Sequence, residues 1–353
     1  MVERIGIRNV RRLSERYRDA KEIFDQPKEK LCADGTLTES AAEKLICGRL
    51  ESDWEDEVEK MREKGIRLVT IEEGDYPLRL KEFRDAPYGL FVKGRLPSEE
   101  NRTAAIIGAR QCTPYGREMA EGLGKALASA GVEVVSGMAK GIDGAGHFGA
   151  LAGGGSTYAV LGCGADVCYP SGNMDLYRRI ETEGGIISEY PPGSAPLPAH
   201  FPMRNRIISG LSDLVVIVEA RMKSGSLITA DLALEQGRDV YAVPGRIGDA
   251  LSCGTNRLIK QGAGIILSRE DFLKDLQIFC EESKFKKKFS KNSLEKGEVL
   301  VYSVLDLHSK NINEIIDETN LSAAECVCAL AGLEEKGYIR EVFQNYYIRR
   351  LED

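Results

Sequence analysis

Apolar positions along the chain follow three successive patterns. Before residue 65 they recur at helical spacing, in segments 10–24, 39–47 and 54–64, with turn signals at Asp25-Gln26-Pro27 and Asp34-Gly35 between them. The first strand-like run is Arg67-Leu68-Val69-Thr70-Ile71. From about residue 76 the pattern changes to short β-branched runs at 104–107, 132–136, 157–161, 185–188, 214–218, 240–243 and 265–267, separated by helical segments or Gly-rich turns. These runs are continuously apolar, as strands covered by helices on both faces must be. Such alternation predicts an α/β fold with a doubly wound parallel sheet, which binds ligands at the carboxyl ends of its strands.

The third pattern occupies the C-terminal end. Segments 298–305, 312–318 and 323–336 read as helices, with Thr319-Asn320-Leu321-Ser322 supplying a turn and the N-cap of the third. Segments 337–341 and 346–349 read as strands on either side of Gln344-Asn345. Three helices followed by a hairpin predict a winged-helix domain. Between the second and third patterns, residues 284–291 contain five lysines and read as a solvated basic linker. The expected division is a helical domain at 1–75, an α/β domain at 76–282, a linker at 283–294 and the winged helix at 295–353.

Charge narrows the function classes. The net charge is −7, and the three main segments carry −4, −2 and −1, counted over 1–75, 76–283 and 284–353. No segment is basic as a whole, so a site for a polyanion has to be local. The N-terminus has no apolar core of a signal peptide, and no run of about 18 apolar residues occurs, so no membrane partner and a cytoplasmic location are expected. Nine cysteines lack any C-x-x-C pair, and Cys326 and Cys328 would point in different directions on a helix. Reduced thiols are expected.

Catalytic signatures are missing. There is no G-x-x-x-x-G-K-[ST] loop and no G-x-S-x-G elbow, and His147, His200 and His308 have no second histidine at metal-ligand spacing. Residues 144–149 spell G-x-G-x-x-G, but they lie well past the preceding strand, where a dinucleotide fingerprint does not work. The strand-end loops are more informative. Gly108-Ala109-Arg110 joins close backbone approach to a planar cation, and the helix after Thr113-Pro114 offers a positive end. Ser136-Gly137 with Lys140-Gly141 forms a second cradle. Asn173, then Arg204-Asn205-Arg206, and finally Lys223-Ser224-Gly225 extend the series. Five such loops on one edge predict a phosphate-rich ligand and no cofactor.

The same residues resemble the DNA-processing protein A (DprA/Smf) family. The resemblance is carried by Ile106-Ile107-Gly108-Ala109-Arg110, Ser136-Gly137-Met138-Ala139-Lys140-Gly141-Ile142-Asp143, Tyr169-Pro170, Arg204-Asn205-Arg206, Ser224-Gly225 and Ala242-Val243-Pro244-Gly245. It implies an extended Rossmann-like fold that dimerises and binds single-stranded DNA without enzymatic activity. It also implies protection of incoming DNA and loading of RecA in natural transformation. Ala109 replaces a hydroxyl residue usual in the family's first loop, and Ser171 replaces a basic residue usual in the third. Ile5-Gly6-Ile7-Arg8-Asn9 loosely resembles a helix-hairpin-helix turn, with asparagine where a second glycine stands. The third helix of the winged domain is poor in Arg and Lys, which favours protein contact there over DNA contact.

Two other readings compete. One is a nucleoside-monophosphate phosphoribohydrolase of the same superfamily, against which Pro244-Gly245-Arg246-Ile247-Gly248 lacks the P-G-G-x-G-T pattern. The other is a nucleotide sensor that signals through the winged helix.

Overall fold

The computed structural model describes residues 7–17, 19–51, 54–278 and 294–350. The lysine-rich stretch read as a linker, and Ile5 and Gly6 of the helix-hairpin-helix reading, lie outside the described residues.

Five helices open the chain: α1 (Ile7–Arg16), α2 (Ala20–Phe24), α3 (Lys28–Cys32), α4 (Glu39–Glu51) and α5 (Trp54–Glu63). Leu13, Tyr17, Leu31, Leu37, Ala41, Ala42 and Leu45 form a core for the first four, while Met61 of α5 packs against the cluster that holds Ile66 and Phe91. The segment expected as one helix at 10–24 is broken before Asp19, whose carboxylate caps α2 by accepting from the Glu22 N–H at 2.8 Å.

Nine strands then build one sheet. They are β1 (Ile66–Thr70), β2 (Gly89–Gly94), β3 (Thr103–Ile107), β4 (Glu133–Ser136), β5 (Thr157–Leu161), β6 (Gly185–Ser188), β7 (Leu214–Ile217), β8 (Asp239–Ala242) and β9 (Gly264–Ile265). Their spatial order is β1-β2-β6-β5-β4-β3-β7-β8-β9. The strands from β6 to β9 in that order are parallel, as the continuously apolar runs predict. The remaining edge is antiparallel: β2 pairs with β6, and β1 with β2. The sheet is therefore mixed, and β1, which falls before residue 75, is hydrogen-bonded into it. The reading of the sequence passed over β2. Its apolar core is only three residues, Leu90, Phe91 and Val92, and its partners β1 and β6 come from opposite directions along the chain.

Alternation within each strand divides the core in two. Ala105, Ile107, Val135, Val160 and Val215 face one layer with Ile207, Ile208 and Ala230. That layer contains α10 (His200–Gly210) and α11 (Gly225–Glu235), beside the short α6 (Leu78–Lys81). Ala104, Ile106, Val134 and Val216 face the other layer with Leu123, Leu127 and Ile142. That layer holds α7 (Pro114–Ser129) and α8 (Ile142–Ala152), and α9 (Met174–Glu183) follows along β5 and β6. A Cβ on Gly149 would lie 2.0 Å from the Glu121 carbonyl oxygen, and one on Gly124 would lie 2.4 Å from that of Gly146. The G-x-G-x-x-G string is thus an interior stretch of α8, where Gly149 and the facing Gly124 let two helices approach to backbone contact and Gly146 packs on Ile106 of β3.

Helices α12 (Cys253–Lys260) and α13 (Arg269–Asp275) complete the sheet's flanks. After residue 293 come α14 (Lys296–Val304), β10 (Lys310–Asn311), α15 (Ile312–Thr319), α16 (Ala323–Glu335), β11 (Ile339–Phe343) and β12 (Tyr346–Arg349). The three strands form a separate sheet in the order β10-β12-β11, over a core that includes Val301, Ile315, Leu330, Leu333 and Ile339. Ser322 caps α16 in a reciprocal box with Glu325, and Asn345 adopts a φ of 63° at the hairpin turn. Cys326 is buried and Cys328 exposed, as their spacing on one helix requires.

Candidate nucleic-acid interface

Strand order reverses at β3, which has β4 on one side and β7 on the other. The loops after β3 and β7 therefore face each other across the crevice where a doubly wound sheet receives its ligand. Two anion seats in that crevice are filled by the protein's own carboxylates. At the start of α7, the Thr113 backbone N–H donates to Glu219 Oε2 at 2.9 Å, and the Thr113 hydroxyl donates to Glu219 Oε1. Burial pushes the Glu219 carboxyl up, and the bonds from Thr113 pull it back. A Cβ on Gly116 would fall 2.3 Å from that carboxylate, so glycine is what admits it. The positive end of α7, expected to face the ligand, is thus satisfied internally.

The second seat belongs to Asp143, in the first turn of α8. Its carboxylate is buried and accepts from the backbone N–H groups of Gly108 and Ala139, beside the Arg204 guanidinium. Burial raises its pKa, and Arg204 is the largest opposing influence. Arg204 itself is 4% exposed and donates to the carbonyls of Gly137, at 3.0 Å, and Val160. A buried cation, a buried carboxylate and four backbone groups thereby lock the loops after β3 and β4 to each other and to β5.

The residues singled out from sequence fall into two groups. Gly108, Ala109, Gly137, Gly141 and Asn173 shape the loops. Gly141 has a φ of 80°, and a Cβ there would meet the Ala109 carbonyl oxygen at 2.3 Å. Asn173 donates to the Met138 carbonyl at 2.9 Å, holding a residue whose φ is 56°. The Ser136 hydroxyl is fully buried and donates to the Ile106 carbonyl at 2.6 Å. Arg206 is also turned inward, onto both Glu189 oxygens at 2.6 and 2.7 Å. Asn205 bridges Arg204 Nε and the Gly225 carbonyl.

Arg110, Lys140, Lys223 and Gly225 form the outer group and are exposed. Ser224 caps α11 and is half-buried, with its hydroxyl 2.7 Å from that of Ser226. The Arg110 guanidinium lies 5.2 Å from the centre of the Phe201 ring, and Phe201 in turn lies 5.6 Å from Tyr169, which is 41% exposed. A cation on an aromatic pair is a surface on which a base can stack while its phosphate is neutralised. In the sequence Tyr169 and Asp143 stand out only as family positions, and Phe201 and Glu219 have no assigned role. Asp143, a carboxylate just inside a helix after a Gly-rich loop, was the legible one; the Phe201 platform joins residues 91 positions apart and had no local signal.

Among the described residues no group of three or more His, Cys, Asp or Glu side chains is placed to hold a metal ion. The loop after β8 is tied down by Asn256, which donates to the Gly245 carbonyl at 2.9 Å and accepts from its N–H at 3.2 Å.

The architecture is that of an extended Rossmann-like α/β protein with exposed Arg110, Lys140 and Lys223 on the loops at its strand ends. The model of the family DNA recombination-mediator protein A matches residues 67–277, and the chain belongs to that family. The DNA processing protein DprA of Streptococcus pneumoniae (strain ATCC BAA-255 / R6) is 46% identical over 202 residues, which are 57% of this chain and 71% of that protein. Its counterpart in Bacillus subtilis (strain 168) is 43% identical over 216 residues, 61% of this chain and 73% of the relative. An X-ray structure of DprA from Streptococcus pneumoniae superposes with a TM-score of 0.69 at 36% identity, covering 78% of this chain and 94% of that one. A structure of DNA processing protein A from Helicobacter pylori, described as giving insight into a unique single-stranded DNA binding mode, superposes with a TM-score of 0.54 at 31% identity, covering 60% and 96%. This is a DNA-processing recombination-mediator protein of the DprA/Smf family.

Proposed function

We propose that this protein binds single-stranded DNA along the rim formed by the ends of β3, β4, β5 and β7 and delivers it to the recombinase RecA as a homodimer. The observation that carries the DNA reading is the exposed Arg110, seated on Phe201 beside the exposed Lys140, above crevice seats already filled by Asp143 and Glu219. A free nucleotide would bury its phosphates in those seats; a strand lying over the rim does not need them. The single-stranded DNA binding reported for the Helicobacter pylori relative supports the reading. Arg110, Lys140 and Lys223 are the phosphate contacts in this scheme, with Gly225 and Ser224 offering backbone and hydroxyl donors. Arg204, Asn205, Arg206, Ser136 and Asn173 position them. The C-terminal unit, read as a winged helix, contacts protein partners.

The test is fluorescence anisotropy with oligo-dT over a salt series. Arg110→Ala and Lys140→Ala are expected to weaken binding and to lower the slope of log K against log salt by about 0.7 for each contact removed. Unchanged affinity and slope in both variants would reject the rim as the site. RecA delivery is tested separately, as the gain in RecA assembly on strands coated with a single-strand-binding protein. The absence of any gain with DNA-binding wild-type protein would leave DNA binding intact and refute delivery.

A further inference from the structure

A second cationic site lies away from the rim. A cavity of about 540 Å³ opens between the C-terminal unit and the outer face of α7 and α8. It is lined from the middle of α7 and the C-terminal half of α8, so it shares no wall with the strand-end loops. Five cations reach it: Lys125, Arg179, Arg269, Arg340 and Arg350. In a chain of net charge −7, such a concentration calls for a ligand or a set of partners.

Two of the five, Arg340 and Arg179, pair with carboxylates of the protein. The cavity's carboxylates, Glu118 and Glu121, both pair with Arg340, at 3.0 and 3.1 Å. Arg340 Nε is buried and has no hydrogen-bond acceptor among the described residues. The charges of Arg350 and Arg269 also favour the ionised form of Glu118. Arg179 holds Glu183 at 3.3 Å, but both side chains are more than two-fifths exposed, and such a pair is weak enough to exchange for a phosphate. The walls include the Phe148 ring, 42% exposed although it sits on a helix packed against the core, together with Tyr302 and Tyr338, which meet edge to face at 5.5 Å.

We propose that this cleft is a second ligand site, which takes a nucleotide unit with its phosphate among Arg350, Arg179 and Arg340 and its base against Phe148. Cations supply the phosphate recognition, and an exposed aromatic face supplies sequence-tolerant stacking. The nucleotide has two sources, a free nucleoside triphosphate or a residue of a DNA strand, and the proposal does not depend on the rim site.

The experiment uses the full chain and two probes, ATP and oligo-dT. Isothermal titration with ATP is run on wild type, Arg110→Ala, Phe148→Ala and the double reversal Arg179→Glu/Arg350→Glu. If the source is free nucleotide, ATP binds wild type and Arg110→Ala alike, the double reversal weakens it about tenfold or more, and Phe148→Ala weakens it severalfold. If the source is a strand, ATP does not bind, and the oligo-dT affinity remaining in Arg110→Ala falls by a similar factor when the double reversal is added. Either pattern supports the site. The proposal is overturned if the reversal changes neither, in protein whose melting temperature matches wild type, or if Arg110→Ala abolishes ATP binding. Hydrogen exchange on the wild type gives a check without variants: with the probe that binds, protection is expected at residues 148–152, and its absence counts against the site.

Discussion

His147 shows how far a residue's role depends on its surroundings. It is fully buried, with Nδ1 2.6 Å from Thr157 Oγ1. The Thr157 hydroxyl spends its one proton on the Val134 carbonyl, so Nδ1 carries the proton and donates. Burial, with the Arg204 charge adding to it, pulls the imidazole down to about 3 from an ordinary 6.5. The unfolded chain therefore binds a proton at this position below pH 6.5 that the folded chain refuses down to about 3. Stability from this group is complete above pH 6.5 and is lost as pH falls through that window, by about 1.4 kcal/mol per unit. Urea unfolding of wild type and His147→Gln between about pH 7 and about pH 4 checks it. The wild type is expected to lose stability more steeply, and parallel curves would show that the imidazole is protonated in the fold. The site residues teach the same lesson. Arg110 and Arg204 are alike on the page of sequence, yet one is exposed on Phe201 and the other is a buried clamp. Nothing local separates them, because burial is decided by what the helix bearing Arg204 packs against.

At the scale of elements, glycines serve two different ends. Glycines at 108 and 141 do mark loops where backbones approach closely. Those at 124 and 149 belong to a helix-helix seam. A Gly→Ala change inside a helix ordinarily stabilises by about 1 kcal/mol. Gly149→Ala is expected to do the opposite, since its Cβ would lie 2.0 Å from a carbonyl oxygen of α7 and the two helices would have to separate. A loss of about 1–3 kcal/mol in urea unfolding is the expected size for such overpacking; a gain would mean the seam is slack. The parallel strands were legible because helices cover both their faces and make the runs continuously apolar. β2 and β10 were not, being a short run between glycines and a two-residue strand.

For the whole molecule, the C-terminal unit is held to the sheet domain by Arg340 on Glu118 and Glu121, and Arg246 Nη2 lies 3.4 Å from His308 Nδ1. Arg340→Ala removes the ion pairs and leaves Glu118 and Glu121 without their closest cation. Small-angle scattering is expected to show a larger radius of gyration for that variant at the same salt; an unchanged radius would assign the docking to other contacts. The sequence by itself determined the layered α/β class, most strand positions, the order of the three segments and the cluster of Gly-rich loops at one sheet edge. Periodicity and turn chemistry are local, so these could be read directly. Only the tertiary structure decided which cations face out, that Asp143 and Glu219 occupy the crevice's own anion seats, and that Arg110 rests on a ring 91 residues away. Each of those depends on groups brought together from distant strands, where burial and charge pairing choose among residues that sequence alone leaves equivalent.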